Sequence, residues 1–341
     1  MTTDRADVLV LGAGLAGASA ARALADAGKR VLAIDKGRGP GGRLSTRRSD
    51  AGTFDHGAVA LQADGDAFRR WLEAQALAGR AARWRGGWVG VPGMNALVAG
   101  LLDGIDVRWA TNVASLQPAP NAWQALDAEG QLIAAAPLCV LAIPAPQARA
   151  LLQAGSADGA ARSSTRAVTH PLTAVVDALR GVRYSPCWSA LLVVDAAALS
   201  ETALPTHART SDADLDDIIR ESDKPGRPPS GHIVLQASAA WSLANLERAA
   251  DDVALALSQA FLDVSALALD DVRSSIAHRW RYARPLDVID GRIARSVAGL
   301  ALAGDFVGEA DVTACPDAER AWRSGRIAAE ALLGAPIQPK S

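Results

Sequence analysis

A glycine-rich turn set between an apolar strand and an alanine-rich helix constrains this chain more than any other feature. Ala6 to Leu11 reads as a short buried parallel strand and Gly12-Ala-Gly14-Leu-Ala-Gly17 as the turn. Ala18 to Ala27 reads as a helix ended by Gly28, and Arg30 to Ile34 as a second strand tipped by Asp35, 18 residues after Gly17. Each glycine has a physical task. Gly12 permits the tight turn, Gly14 lets the backbone approach a diphosphate, and Gly17 lets helix and strand pack closely. Leu15 and Ala16 lie within the turn, and the N-terminus of the helix that follows offers phosphate its unpaired N–H groups and positive dipole end. Asp35 is placed to accept hydrogen bonds from a ribose.

The length of 341 residues exceeds what one core needs, and a prior of about 150 residues per domain suggests two. Hydrophobic residues at 50% and charged residues at 21% are enough to bury a sizeable core, so global disorder is excluded. The balance of 35 basic against 37 acidic residues argues against a general nucleic-acid binder or a polybasic membrane anchor. Cys139, Cys187 and Cys315 are widely spaced, which argues against a disulfide framework or a zinc site and predicts no metal. Asp4 and Asp7 occupy the region where a signal peptide carries positive charge, and no run of 18 apolar residues occurs. A cytoplasmic protein without a membrane span is the expectation.

After the first βαβ unit, Gly37 to Asp50 is rich in glycine and arginine and reads as a binding loop. A nicotinamide dehydrogenase normally runs into a helix at this point, whereas a loop carrying Gly41, Gly42 and Arg43 can fold back over a pyrophosphate. Asp66 to Ala78 reads as a helix and Asp106 to Ala134 as a small antiparallel meander. Leu138 to Ile143 and Ala298 to Ala303 read as buried strands that join the first unit in one parallel sheet. Ala148 to Pro285 has a different texture, with strands near Ala190 to Val194 and His232 to Gln236 and a long helix over Leu246 to Phe261. That region reads as a second domain inserted into the first.

Eight landmarks, taken in order, resemble the FAD-dependent amine-oxidase superfamily and, within it, the bacterial renalase-like flavoproteins. They are Asp35-Lys-Gly-Arg-Gly-Pro-Gly-Gly-Arg43, Phe54-Asp55-His56-Gly57-Ala58, Trp88-Val-Gly-Val-Pro92-Gly93-Met94 and Pro144-Ala-Pro146-Gln147. Ser222-Asp-Lys-Pro-Gly-Arg227, His278-Arg-Trp-Arg-Tyr-Ala-Arg-Pro285 and Gly304-Asp305 with Glu319-Arg-Ala-Trp322-Arg-Ser-Gly325 complete the set. The resemblance implies an α/β fold: a Rossmann-like FAD-binding domain (GR2 type) with an inserted α+β substrate domain, in the amine-oxidase/renalase architecture. The expected FAD-binding domain is discontinuous, 1–62, 93–145 and 286–341, and the substrate domain comprises 63–92 and 146–285. FAD is expected to be bound non-covalently. The resemblance implies contacts from Gly12, Gly14, Leu15, Ala16, Gly17, Asp35, Lys36, Gly42, Arg43, Asp55, His56, Gly57 and Ala58. Val113, on a meander strand, would meet the adenine, and Gly304 and Asp305 the ribityl or phosphate region. The helix beginning at Asp317, with Glu319, Arg320 and Ala321, would aim at the flavin ring, where its N-terminus would stabilise charge at the N1 edge.

The implied activity is hydride transfer from a dihydronicotinamide, an NAD(P)H isomer, to flavin N5 and then to O2, giving hydrogen peroxide. If 278–284 is a strand, His278, Trp280, Tyr282 and Arg284 share one face and form the catalytic wall; the alternative is a strand that packs its aromatic residues into a core. His56 either touches the flavin or caps a turn, with the turn favoured. Arg320 stands where the family usually has glycine, and Val59-Ala60 where it has an aromatic pair. An amine oxidase needs a neutral amine and often a lysine beside N5, whereas a dihydronicotinamide only loses hydride; the four lysines, Lys29, Lys36, Lys224 and Lys340, disfavour the amine. A flavin amine oxidase or desaturase, an FAD-binding protein that turns nothing over, and a flavin-free nicotinamide dehydrogenase remain the alternatives.

Overall fold

The computed structural model describes residues 6–50, 52–160, 166–201, 207–208, 214–295, 297–308 and 315–334. The chain begins with β1 (Val8–Leu11), α1 (Leu15–Asp26), β2 (Val31–Ile34), and the hairpin of β3 (Arg47–Ser49) and β4 (Gly52–Phe54). Next come α2 (Asp66–Leu77), a second hairpin of β5 (Ala81–Trp84) and β6 (Gly87–Gly90), α3 (Ala96–Leu102) and β7 (Asp106–Arg108). The strands β8 (Ser115–Ala119), β9 (Ala122–Leu126), β10 (Leu132–Ala136) and β11 (Leu138–Leu141) follow, then α4 (Ala145–Ala160) and α5 (Arg166–Arg180). After these lie β12 (Tyr184–Val194), α6 (Ala196–Glu201), β13 (His207–Ala208), β14 (Leu215–Arg220) and β15 (His232–Ala237). The last third holds α7 (Ala239–Ala244), α8 (Ala250–Val264), β16 (Val272–Pro285), β17 (Ile289–Asp290), β18 (Leu300–Leu302), β19 (Val307–Gly308) and α9 (Asp317–Leu333).

A parallel sheet in the order β18-β11-β1-β2-β7 forms the first centre. Strands β1, β2, β11 and β18 are short and apolar throughout, as burial on both faces requires, while the edge strand β7, Asp-Val-Arg, exposes both its charged residues. Leu9, Leu11, Leu32, Ile34, Cys139 and Leu141 point to one side, where the β8–β10 meander and helices α4 and α5 cover them. Val8, Val10, Ala33, Val140 and Ala301 point to the other, against α1, α3 and α9. The small residues on that second face let α1 lie close to the sheet. Strand order reverses between β1 and β11, and in open α/β sheets the crevice at such a switch point binds ligands.

An antiparallel sheet in the order β13-β14-β15-β12-β16 forms the second centre. Ala190, Leu192, Ile218, Ile233 and Leu235 face α8 through Val253, Leu257 and Phe261. The opposite face, through Leu191, Ile219 and Val234, joins the core that holds Leu61, Trp84 and Trp88. Alternation of period two along the strands therefore packs this sheet on helix and hairpin at once.

Four expectations change in detail. The segment from Asp106 does not open the meander: β7 pairs with β2 and extends the parallel sheet, leaving β8–β10 as the antiparallel unit. Val113 lies in the loop before β8 rather than on a strand. The helix expected over Leu246–Phe261 begins and ends later, as α8 over Ala250–Val264, and a separate short helix, α7, precedes it. Ser238 caps α7 by accepting from the Trp241 N–H, and α8 starts only at Ala250, with Asp251 and Asp252 in its first turn. The first helix begins at Leu15, one residue past Gly14, because Gly14 is itself the N-cap.

Candidate functional site

At the switch point the first glycine turn leaves β1. Gly12 has φ +103°, and a Cβ there would run into the Ala142 carbonyl at the end of β11, so only glycine lets the two strand ends meet. A Cβ on Gly17 would strike the Gly12 carbonyl. Gly14 differs: it has φ −77°, and a Cβ there would meet nothing nearer than the Gly42 Cα at 3.9 Å. The first turn of α1 contains no acid, and Gly14 supplies no side-chain cap. The leading N–H groups of α1, around Leu15, Ala16 and Gly17, have no intrahelical partner by geometry. A second glycine turn, Gly41–Gly42, bridges to Gly14 and lies against it. Two turns without side chains thus flank an uncapped positive helix end, a donor set that fits a diphosphate.

Asp35 ends β2 on the same rim. Its Oδ2 accepts from the Ala13 N–H and its Oδ1 from the Gly37 N–H, both at 2.6 Å, so the carboxylate ties the first turn to the second loop. Lys36 is exposed beside it, and Val113 is half-buried in the loop that follows β7. Arg43, in a 3-10 turn over Gly42–Leu44, forms a forked pair with Asp305 at 2.5 and 2.8 Å and donates to the Ala283 carbonyl at 2.9 Å. The Asp305 side chain is 2% exposed. Removing the guanidinium would leave a buried carboxylate uncompensated, a loss of about 3–5 kcal/mol, so Arg43 serves the fold as well as any ligand. Gly304, just before Asp305, donates its N–H to the Ser324 Oγ on α9 at 2.9 Å.

The turn 56–58 sits against the antiparallel sheet. Ala58 donates its N–H to the Arg43 carbonyl at 2.9 Å, and a Cβ on Gly57 would collide with that carbonyl. Trp280 Nε1 donates to the His56 carbonyl at 2.7 Å, and Gln236 Nε2 donates to the Gly57 carbonyl at 2.5 Å. The His56, His278 and Trp280 rings form a three-way group with centroid separations of 4.8, 5.1 and 4.4 Å. Nδ1 of His56 is buried without a hydrogen-bond partner. Burial, then the neighbouring His278 and Arg47, pushes the His56 imidazole down to about 4, against opposing effects of the Phe54 carbonyl and Asp55. Burial and Arg47 lower His278 as well, so both rings are neutral at pH 7.

The other expected residues separate from this group. Tyr282 packs edge-on to Tyr184 at 5.4 Å, next to the Arg43–Asp305 pair. The register of β12 with β16 shifts between Ser185 and Cys187, and Arg284, beyond the shift, is 74% exposed and pairs with Asp317 at 3.0 Å instead of joining His278 and Trp280. Asp55 is buried, and its two oxygens are taken by the Met94 N–H, the Thr46 hydroxyl, Lys224 and Arg227. It is a structural anchor behind the turn. Glu319, on α9, accepts from the Asp64 and Gly65 N–H groups and so ties the segment leading into α2 to α9. Arg320 is buried, donating to the Asp305 carbonyl and to Asp317, both at 2.5 Å, and Ala321 packs in the core with α1.

Sequence reasoning missed Glu221, Lys224 and Gln236. The Ser222–Arg227 segment stood out as a landmark, but nothing in it showed that its lysine would reach Asp55. Among the described residues, no group of three or more His, Cys, Asp or Glu side chains is placed to hold a metal, and no helix is long and apolar enough to cross a membrane.

Residues 10–74 match the family model described as an NAD(P)-binding Rossmann-like domain. A curated relative, the tRNA 5-methylaminomethyl-2-thiouridine biosynthesis bifunctional protein MnmC of Ralstonia nicotianae, is 29% identical over 197 residues, which cover 39% of this chain. The chain spans only 30% of that relative's length. Among solved structures, a protein assigned as a protoporphyrinogen oxidase from Exiguobacterium sp. 255-15 superposes with a TM-score of 0.69 at 14% identity, covering 97% of this chain and 99% of the other. A cofactor-binding redesign of putrescine oxidase superposes with a TM-score of 0.60 at 12% identity over 97% of this chain and 99% of its own. The fold is therefore a mixed α/β architecture built on a Rossmann-like parallel sheet, shared with these two solved structures.

Proposed function

We propose that the chain is an FAD-dependent oxidoreductase that binds FAD non-covalently and oxidises a small-molecule donor of the dihydronicotinamide class, in the manner of renalase-like proteins. One observation carries the cofactor: the uncapped N-terminus of α1 meets the side-chain-free Gly41–Gly42 turn at the β1/β11 switch point. Gly12, Gly14, Leu15, Ala16, Gly17 and Gly42 would hold the diphosphate, with Asp35, Lys36 and Val113 on the adenosine side. Arg43 with Asp305, and the turn His56–Ala58, would line the remainder. The isoalloxazine supplies a two-electron acceptor for hydride. We also propose the division 1–62, 93–145 and 286–341 for the cofactor part and 63–92 and 146–285 for the substrate part.

Support for the donor class comes from the ring group. His278 and Trp280, with the imidazole of His56, offer flat walls and neutral hydrogen-bonding atoms, which suit a planar ring that gives up hydride alone. A lysine of the kind an amine oxidase uses is not in this group, and Lys224 is committed to Asp55 and Glu221. Dioxygen, a small neutral molecule, is the proposed final acceptor. A role on tRNA like that in the name of the curated relative gains nothing from the balance of 35 basic and 37 acidic residues. An amine donor is the second reading, but the buried His56 and His278 imidazoles, lowered in the fold, are weak acceptors for the proton of an ammonium group, so such a donor would have to arrive as the neutral amine. Anaerobic mixing separates the two. Dihydronicotinamide isomers should bleach the flavin absorbance, and bleaching by amines alone would overturn the first reading.

A further inference from the structure

Behind the 56–58 turn lies a group of four charged side chains with almost no contact with water. Lys224 Nζ reaches Asp55 Oδ2 at 3.2 Å and Glu221 Oε1 at 2.7 Å, and Arg227 Nη2 pairs with the same Asp55 oxygen. Side-chain exposures are 0% for Lys224 and Asp55, 2% for Glu221 and 3% for Arg227. The members come from distant segments. Asp55 follows β4; Glu221, Lys224 and Arg227 lie in the tight loop after β14, where Lys224 and Arg227 close successive backbone turns. Arg227 also donates to the Gly90 carbonyl at the end of β6, and the Trp84 ring of β5 lies 5.9 Å from the Lys224 ammonium. Burial works against ionising Asp55, yet Lys224 and Arg227 hold its carboxyl below the usual range; burial pushes Glu221 the other way.

Such a cluster is a poor source of stability, since desolvation costs several kcal/mol per ion and apolar packing of the same volume often does as well. Its distinguishing property is direction. Charged hydrogen bonds fix donor and acceptor to a few tenths of an ångström, which apolar contacts do not. Asp55 is adjacent to His56, whose carbonyl accepts from Trp280 and whose ring packs on His278.

We propose that Lys224 and Arg227 are positioning residues: their clamp on Asp55 sets where the His56–Gly57 turn stands against Trp280, and so registers the antiparallel sheet with the cofactor-side loops. The proposal deepens the reading of that turn as a wall of the flavin site and rests on it for its catalytic meaning. Geometry alone carries the clamp itself.

The indole N–H of Trp280 provides a readout that needs no turnover. Its hydrogen bond to the His56 carbonyl should give a slowly exchanging indole signal, assigned with Trp280→Phe in the full chain as purified. Lys224→Met should speed that exchange at least about tenfold, while Lys224→Arg keeps it slow. Because one orphaned charge can unfold the chain, Asp55→Asn/Lys224→Met and the milder Thr46→Val serve as second variants, with the same loss of protection expected. A cluster that only stabilises would lower the unfolding midpoint and leave the Trp280 exchange relative to the other indoles unchanged, and that result in any folded variant overturns the clamp. If the exchange responds but no flavin is ever bound, the clamp stands and the flavin reading falls.

Discussion

At the scale of single residues, the glycines of the first turn are not equivalent. Gly12 and Gly17 are required by the protein itself, since a Cβ at either would enter a carbonyl. Gly14 has an ordinary φ and room for a Cβ, so only a ligand needs it bare. Gly14→Ala should therefore fold with an unfolding free energy within about 1 kcal/mol of the parent yet lose FAD affinity, whereas Gly17→Ala should cost about 3 kcal/mol or fail to fold. Urea unfolding and flavin titration of both variants check the pair. His56 makes a pH prediction. Its charged form is disfavoured in the fold, so its folded value of about 4 lies below the unfolded value of about 6.5. The stability it contributes is complete above the unfolded value and is lost as pH falls through that window. His56→Gln should remove this loss, up to about 3 kcal/mol between pH 6.5 and 4, in unfolding free energies measured across the range.

At the scale of elements, the contact between α1 and α9 decides where the N-terminus of α1 stands. Gly325 lies against the Ala16 backbone with its Cβ position already filled, and Ser19 donates its hydroxyl to the Trp322 carbonyl at 2.8 Å. Gly325→Leu should force the helices apart, lowering stability by about 3 kcal/mol and weakening FAD binding together. A drop in stability with unchanged affinity would show that α1 is held by the sheet alone. The hairpin β5–β6 and the loop after β14 have a comparable joint role, because the buried charges bring them onto Asp55.

At the scale of the molecule, two sheets meet around the turn 56–58, one carrying the two glycine turns and the other the ring group. Ligand that binds only the folded chain raises its stability by mass action. FAD at one hundred times its dissociation constant should add about 2.7 kcal/mol to the unfolding free energy of apo-protein, and thermal melts with and without FAD measure it. NAD producing that shift in place of FAD would favour the flavin-free dehydrogenase.

The amino-acid sequence determined the βαβ start, the parallel strands at Leu138 and Leu300 and the helix over Asp66–Leu77. All of these follow from local apolar periodicity and glycine punctuation, which act over a few residues. It also marked the segments around Asp55, Lys224 and Trp280 without saying what each side chain touches. Tertiary structure alone decided that Asp55 is spent on Lys224 and Arg227, that Glu319 holds the N–H groups of Asp64 and Gly65, and that Arg284 is exposed and pairs with Asp317. A buried ion pair or a strand bulge depends on partners brought from distant parts of the chain, and no short-range pattern encodes which partner arrives.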